Sequence, residues 1–239
     1  MTAPVDRPRP SRTTLALIVV PLIALTVASW IGDALAAQWF DRHPLALIAL
    51  NARNRNLVLT TEFLDPVSFY LVGGLRLLAS DPLFYLLGYF YGDAAVRWME
   101  HRTKTFGGLL RSIEQFFGKA AYPLVVVAPN NFICLFAGSA GMSPPVFITL
   151  NVSGTVARLI LIRWIGVEFD GPLDSVRELI AEYRLPLTIV LVLLVAFTVW
   201  QETRPKGELD SLVHLEEEIE EAAEELEVER ADEEPAADE

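Results

Sequence analysis

The chain has 239 residues, 52% of them hydrophobic, and a formal charge of −12. Residues 207–239 hold 16 of the 31 acids and one of the 19 bases, leaving 15 acids against 18 bases elsewhere, so the body offers no basic face for nucleic acid. One cysteine, Cys134, and three scattered histidines (His43, His101, His214) exclude an internal disulfide and any metal-binding motif, and no catalytic or cofactor-binding constellation appears.

Residues 1–12, rich in Pro and Arg, are expected to be disordered. From Thr13 to Gly32 there are 20 residues without a charge, enough for a membrane-crossing helix. The flanking Arg7, Arg9 and Arg12 also suit a signal peptide. The run exceeds the roughly 7–15 residues of a secretory apolar core, so it is read as a retained span, kinked at Pro21. The segment Leu45–Leu50, after His43-Pro44, is too short to cross and is expected at the interface. Residues 57–80 are apolar but carry Glu62, Asp65 and Arg76 with Pro66 and Gly73-Gly74. Charges and backbone breaks at membrane depth are tolerated where they face protein or water, so a re-entrant helical hairpin is expected here.

Residues 82–98 predict a helix with Gly88 and Gly92 on one face, suited to close helix contact. A polar stretch, 99–119, carries Arg102, Lys104, Arg111 and Lys119. The next uncharged run, 120–157, is 38 residues long. Pro123, Pro129 and Asn130-Asn131 predict a second hairpin in it, and Pro144-Pro145 separates that from a span over 146–166 with Asn151, Arg158 and Arg163. An amphiphilic loop over 167–184 leads to a last span, 185–201. The expected architecture is therefore all-α and polytopic, with two re-entrant hairpins, about four spanning helices and an acidic tail over 204–239. Broken segments in corresponding positions of two halves point to an inverted repeat with a transporter site at the midplane. The loop cations place both termini in the cytoplasm, although Arg42, Arg53 and Arg55 then fall outside, against that trend.

The segment Asp81-Pro82-Leu83-Phe84-Tyr85-Leu86-Leu87-Gly88-Tyr89-Phe90-Tyr91-Gly92 resembles the D-x3-Y-x2-G-x3-G signature of the DedA (VTT, SNARE-associated) membrane proteins. Ala137, Gly138, Met142, Phe147 and Gly154 are similar to that family's A-G-x3-M-x4-F-x6-G pattern, and Phe117-Gly118 is a looser match. The resemblance covers roughly residues 60–165. It implies paired re-entrant hairpins and movement of a phospholipid or polyprenyl-phosphate carrier across the plasma membrane, linked in prokaryotic members to the proton gradient. The chain departs from the family's R-x2-P-x2-R element, whose positions hold Leu124, Val127 and Asn130.

The phosphate must then meet other groups. Arg158, Arg76 and Asn130 are the candidates, since arginine offers phosphate two parallel donors; the alternative for either arginine is pairing with an acid or snorkelling to the headgroups. Glu62 and Asp65 are the candidate proton carriers, the alternative being solvated interfacial carboxylates. Asp81, next to Pro82, reads as a helix cap. The tail places Leu212, Leu215, Ile219, Ala222, Ala223 and Leu226 on one helical face, which suits a solvated helix, a protein partner or self-association. A membrane-anchored scaffold working through this tail is the rival to a lipid transporter.

Overall fold

In the computed structural model the described residues are 12–92, 94–96, 122–127, 130–202 and, in the tail, 217, 219, 221 and 224. The expectations for residues 1–11, the 99–119 stretch and most of the tail lie outside them. Among the described residues there are helices and no strands: α1 (Arg12–Trp39), α2 (Pro44–Leu50), α3 (Asn54–Thr60), α4 (Pro66–Leu78), α5 (Asp81–Tyr91), α6 (Asn131–Ser139), α7 (Pro144–Glu168), α8 (Asp170–Glu182) and α9 (Arg184–Glu202).

Proline decides where many of these begin. Pro44, Pro66 and Pro144 are each the first residue of a helix, where a missing N–H costs nothing, and Pro82 is the second of α5. Pro66 therefore starts α4 instead of interrupting a hairpin. Asp65 caps it, its Oδ1 accepting from the Ser68 N–H at 3.0 Å. Gly73 and Gly74 do not break α4 either. Both are buried and let it close on Leu57 and Leu159. Only Ala79 and Ser80 separate α4 from α5, so residues 66–91 make one candidate span where 82–98 had been expected to supply it.

Among the described residues, four helices are long and apolar enough to cross a bilayer: 13–39, 66–91, 144–168 and 184–201. Their outward faces are apolar, as with Val67, Leu71 and Leu75 on α4, Ile148, Val152 and Ile160 on α7, and Leu185, Ile189, Leu193 and Phe197 on α9. Hydrocarbon is the solvent that suits such faces, and the chain is a membrane protein. The expected loop at 167–184 is instead the amphipathic helix α8, whose Arg177 is buried while Val176 and Leu179 are exposed.

Two packed clusters organise the body. In one, Leu15, Ile18 and Leu22 of α1 join Tyr85 and Leu87 of α5, residues 133–137 of α6 and Phe147 of α7, together with Ile219 of the tail. In the other, Ile48, Leu57, Phe69, Leu159 and Ile162 tie α2 and α3 to α4 and α7. In lipid, burial of apolar surface does not drive helices together, so close backbone approach has to. The motif glycines supply it. A Cβ on Gly88 would overlap the Leu135 carbonyl, one on Gly138 the Tyr85 carbonyl, and one on Gly154 the Val126 carbonyl. Tyr85 stacks on Phe147 with centroids 4.2 Å apart, and its hydroxyl donates to the Met142 carbonyl at 2.5 Å. Ala137 is buried beside them, and Gly92 ends α5 with a φ of +53°. The two motif segments thus meet each other.

Candidate anion-binding centre

Helices α2 and α3 have seven residues each and are joined by Asn51, Ala52 and Arg53. At 1.5 Å per residue each reaches about 10 Å, so neither is long enough to cross a bilayer by itself. Its turn is held against α1. The Asn51 Nδ2 donates to the Ser29 carbonyl at 3.0 Å and to Asp33 Oδ1 at 2.7 Å, while its Oδ1 accepts from the Arg53 N–H at 3.2 Å. The Asn56 Nδ2 returns to the Asn51 carbonyl at 3.0 Å. Gly32 of α1 leaves room for Asn51 to sit this close.

Short buried helices leave orphan carbonyls at their C-terminal ends, and arginines from other elements cover them. For α2 this is Arg76, which donates to the Leu50 carbonyl and to the Leu25 carbonyl of α1, both at 3.0 Å, and to Ser29 Oγ at 2.7 Å. For α3, Arg177 donates to the Leu59 carbonyl at 3.3 Å, and Arg163 donates to the Thr61 and Leu64 carbonyls at 3.4 Å. Arg163 also lies over the Phe69 ring, and Arg177 over that of Phe63. Arg76, expected to receive a phosphate, is thus engaged in holding the turn.

Two arginines of the turn are placed differently. Arg53 donates to Asp33 Oδ2 at 2.7 Å and Arg55 donates to Asp33 Oδ1, yet their side chains stay 57% and 55% exposed. Asp33 itself is buried. Next to them, Asn54 Oδ1 accepts from Arg158 Nε at 3.1 Å and Nη2 at 2.6 Å. Arg158 lies near the middle of α7, and its charge acts on Asp81.

Asp81 is not a cap. The residue in the capping position is Ser80, and Asp81 is only 5% exposed, at the first position of α5. The Asn151 Oδ1 is buried and has no partner of its own. From α1 through the turn to α7, Arg53 and Arg55 therefore share the Asp33 carboxylate, Arg158 acts on Asp81, and Arg76 bonds to carbonyls and Ser29.

The remaining candidates stand apart from this centre. Glu62 receives Arg177 Nη1 at 2.8 Å, which also reaches Asp174 at 2.8 Å, so it fastens α8 to the end of α3. Asp65 is exposed, and the Ser68 hydrogen bonds of its capping role hold its carboxyl below the usual carboxylate range. Asn130 caps α6, accepting from the Ile133 N–H at 3.0 Å. Sequence reasoning missed Asp33, Asn51, Arg53 and Arg55 as a set. The available signal was the alternation Asn51-x-Arg53-Asn54-Arg55-Asn56 after a proline-led apolar segment. No protein-family model matches the chain, and neither a curated protein nor a solved structure matches it.

Proposed function

We propose that this chain is a DedA-like transporter that moves a phosphate-bearing lipid across the membrane, with Arg53, Arg55 and Arg158 receiving the headgroup. One observation carries the reading: two half-exposed guanidinium groups stand on a turn pinned to Ser29 and Asp33, inside the length of a spanning helix. Cations held beside the end of an apolar span, with exposed guanidinium groups, are placed to meet a headgroup phosphate. Arginine matches phosphate geometry with paired donors, so it can replace water around a headgroup in transit. These arginines take the place of the two that the family's missing element would contribute.

In this reading α2–α3 is the first re-entrant hairpin, and 122–127 with α6 forms the second. Proton coupling, where it operates, runs through Asp81, which is buried beside Arg158, whereas Glu62 and Asp65 are committed to structural contacts. The rival scaffold role of the acidic tail is disfavoured by Ile219, which is buried in the cluster of α1, α5 and α6 instead of being presented to a partner.

The test is reconstitution in vesicles with a fluorescent lipid phosphate, measuring its movement between leaflets with and without a pH gradient. Wild-type protein moves it, and Arg53→Gln/Arg55→Gln does not. Equal movement by the wild type and the double variant overturns the proposal.

A further inference from the structure

The Asp33 carboxylate goes beyond support of the hairpin, and its role as argued here rests on the phosphate-carrier reading. It is buried on α1, locked in place by Asn51 Nδ2, and it takes one nitrogen from each of Arg53 and Arg55. The rest of each guanidinium fork is left toward the exposed side. A carboxylate and a phosphate are acceptors of the same kind for arginine. Any phosphate that engages both forks has to compete with a carboxylate already built in.

We infer that Asp33 sets a charge threshold for the cargo: it favours phosphate monoesters over phosphate diesters by holding Arg53 and Arg55 against anything weaker. With Asp33 in place the group of three carries a net charge of +1. A phosphate diester brings a single negative charge, no more than Asp33 supplies. A monoester brings between about 1.5 and 2 charges near neutral pH and three terminal oxygens, enough to draw both guanidinium groups away. Specificity arises here from an internal competitor as much as from attraction. The same competition keeps the cargo from binding so tightly that it is not released.

The experiment titrates the full-length protein in a non-ionic detergent at pH 8 with decyl phosphate, decyl methyl phosphate and inorganic phosphate, using calorimetry. These probes share one chain length and differ in ester type, and inorganic phosphate separates a lipid headgroup from a free ion. The wild type is expected to prefer decyl phosphate to decyl methyl phosphate by about tenfold, the effect of one charge-assisted pair. Asp33→Asn binds both, with the preference reduced to about twofold or less, while Asp33→Glu retains it. An unchanged preference in Asp33→Asn overturns the inference and leaves the carrier reading standing. No binding of any probe by the wild type, with full transport by Arg53→Gln/Arg55→Gln, overturns both. Equal affinity for inorganic and decyl phosphate retains the role of Asp33 and makes the ligand free phosphate.

Should Asp33→Asn fail to fold, the single arginine variants decide. Asp33 neutralises whichever guanidinium remains, so Arg53→Gln and Arg55→Gln each lose as much monoester affinity as the double variant. Additive losses, with each single variant losing about half on a logarithmic scale, overturn the inference.

Discussion

The α5–α6 contact and the α2–α3 turn lie in one bundle and are built on opposite principles. At α5–α6 the chain removes side chains: Gly88 and Gly138 bring two backbones together, and Tyr85, Met142 and Phe147 close the edge. At α2–α3 it adds polar groups and pairs them, Asn51 and Arg53 with Asp33, Asn56 with the Asn51 carbonyl and Arg76 with the Leu50 carbonyl. The first region is dry and has one way to pack. Among the described residues, the second leaves Arg53 and Arg55 half-exposed beside the single Asp33 carboxylate. The glycine and aromatic residues of the first region pack the fold, while the half-exposed cations of the second are the ones the proposed function uses.

The sharpest way to break that comparison is to put a side chain where none fits. Gly88→Leu or Gly138→Leu forces the two backbones apart, and a loss of about 4 kcal/mol or more is expected. Gel filtration in detergent should show loss of the monodisperse folded species. Retention of the wild-type melting temperature would mean that α5 and α6 do not touch through these glycines.

The matching change in the polar region is Asn51→Ala. It deletes the bonds to Ser29 and Asp33 and leaves a buried carbonyl and carboxylate short of a donor, for about 2–3 kcal/mol. Thermal unfolding reads the stability. Since Cys134 is the chain's sole cysteine, labelling a cysteine placed at Asn54 in a Cys134→Ala background reads the turn's exposure to water. Asn51→Ala is expected to lower Tm and to change the labelling rate at 54, and an unchanged labelling rate would mean that Asn51 does not hold the turn.

Tyr85→Phe is milder. It keeps the stack on Phe147 and removes the hydrogen bond to Met142, at about 1–2 kcal/mol. Lipid movement per folded molecule is expected to stay unchanged, and a selective loss of transport would make Tyr85 part of the site.

The smallest expected effect lies outside the bundle, at Asp41. Arg184 Nη1 and Nη2 grip its two oxygens at 2.9 and 2.6 Å, and Arg184 lies over the Phe40 ring, tying α9 to the end of α1. The hydrogen bond from Arg184, against a smaller effect of burial, holds the Asp41 carboxyl below the usual carboxylate range. A carboxyl whose pKa is lower folded than unfolded stabilises the fold above its unfolded pKa. That contribution, about 1 kcal/mol for a partly exposed pair, fades as pH falls below about 4 and through the folded pKa. Asp41→Asn is expected to cost this amount at pH 7 and almost nothing at pH 2, as measured by Tm across that range.

The spans at 13–39, 144–168 and 184–201 were legible because an uncharged apolar run is a one-dimensional property, and lipid imposes its length directly. Of the pair Gly88 and Gly92 expected to allow close helix contact, Gly88 does so against Leu135, whereas Gly92 meets nothing and instead ends α5 with a positive φ. The α2–α3 pair was not legible. Its seven-residue helices are too short to show a period, and the break expected at Pro66 and Gly73-Gly74 does not occur because these residues start and pack α4. Nor did local sequence separate the charged residues by role. Arg76 covers a helix end, Asp65 caps one and Asp81 is buried against α6 and α7, while Arg53 and Arg55 hold exposed charge. The partners of the three arginines lie about 20 to 50 residues away along the chain, at Asp33, Leu25 and Leu50. Whether a charge is spent or available depends on what stands opposite it, and only the packing of α1, α2, α3 and α7 decides that.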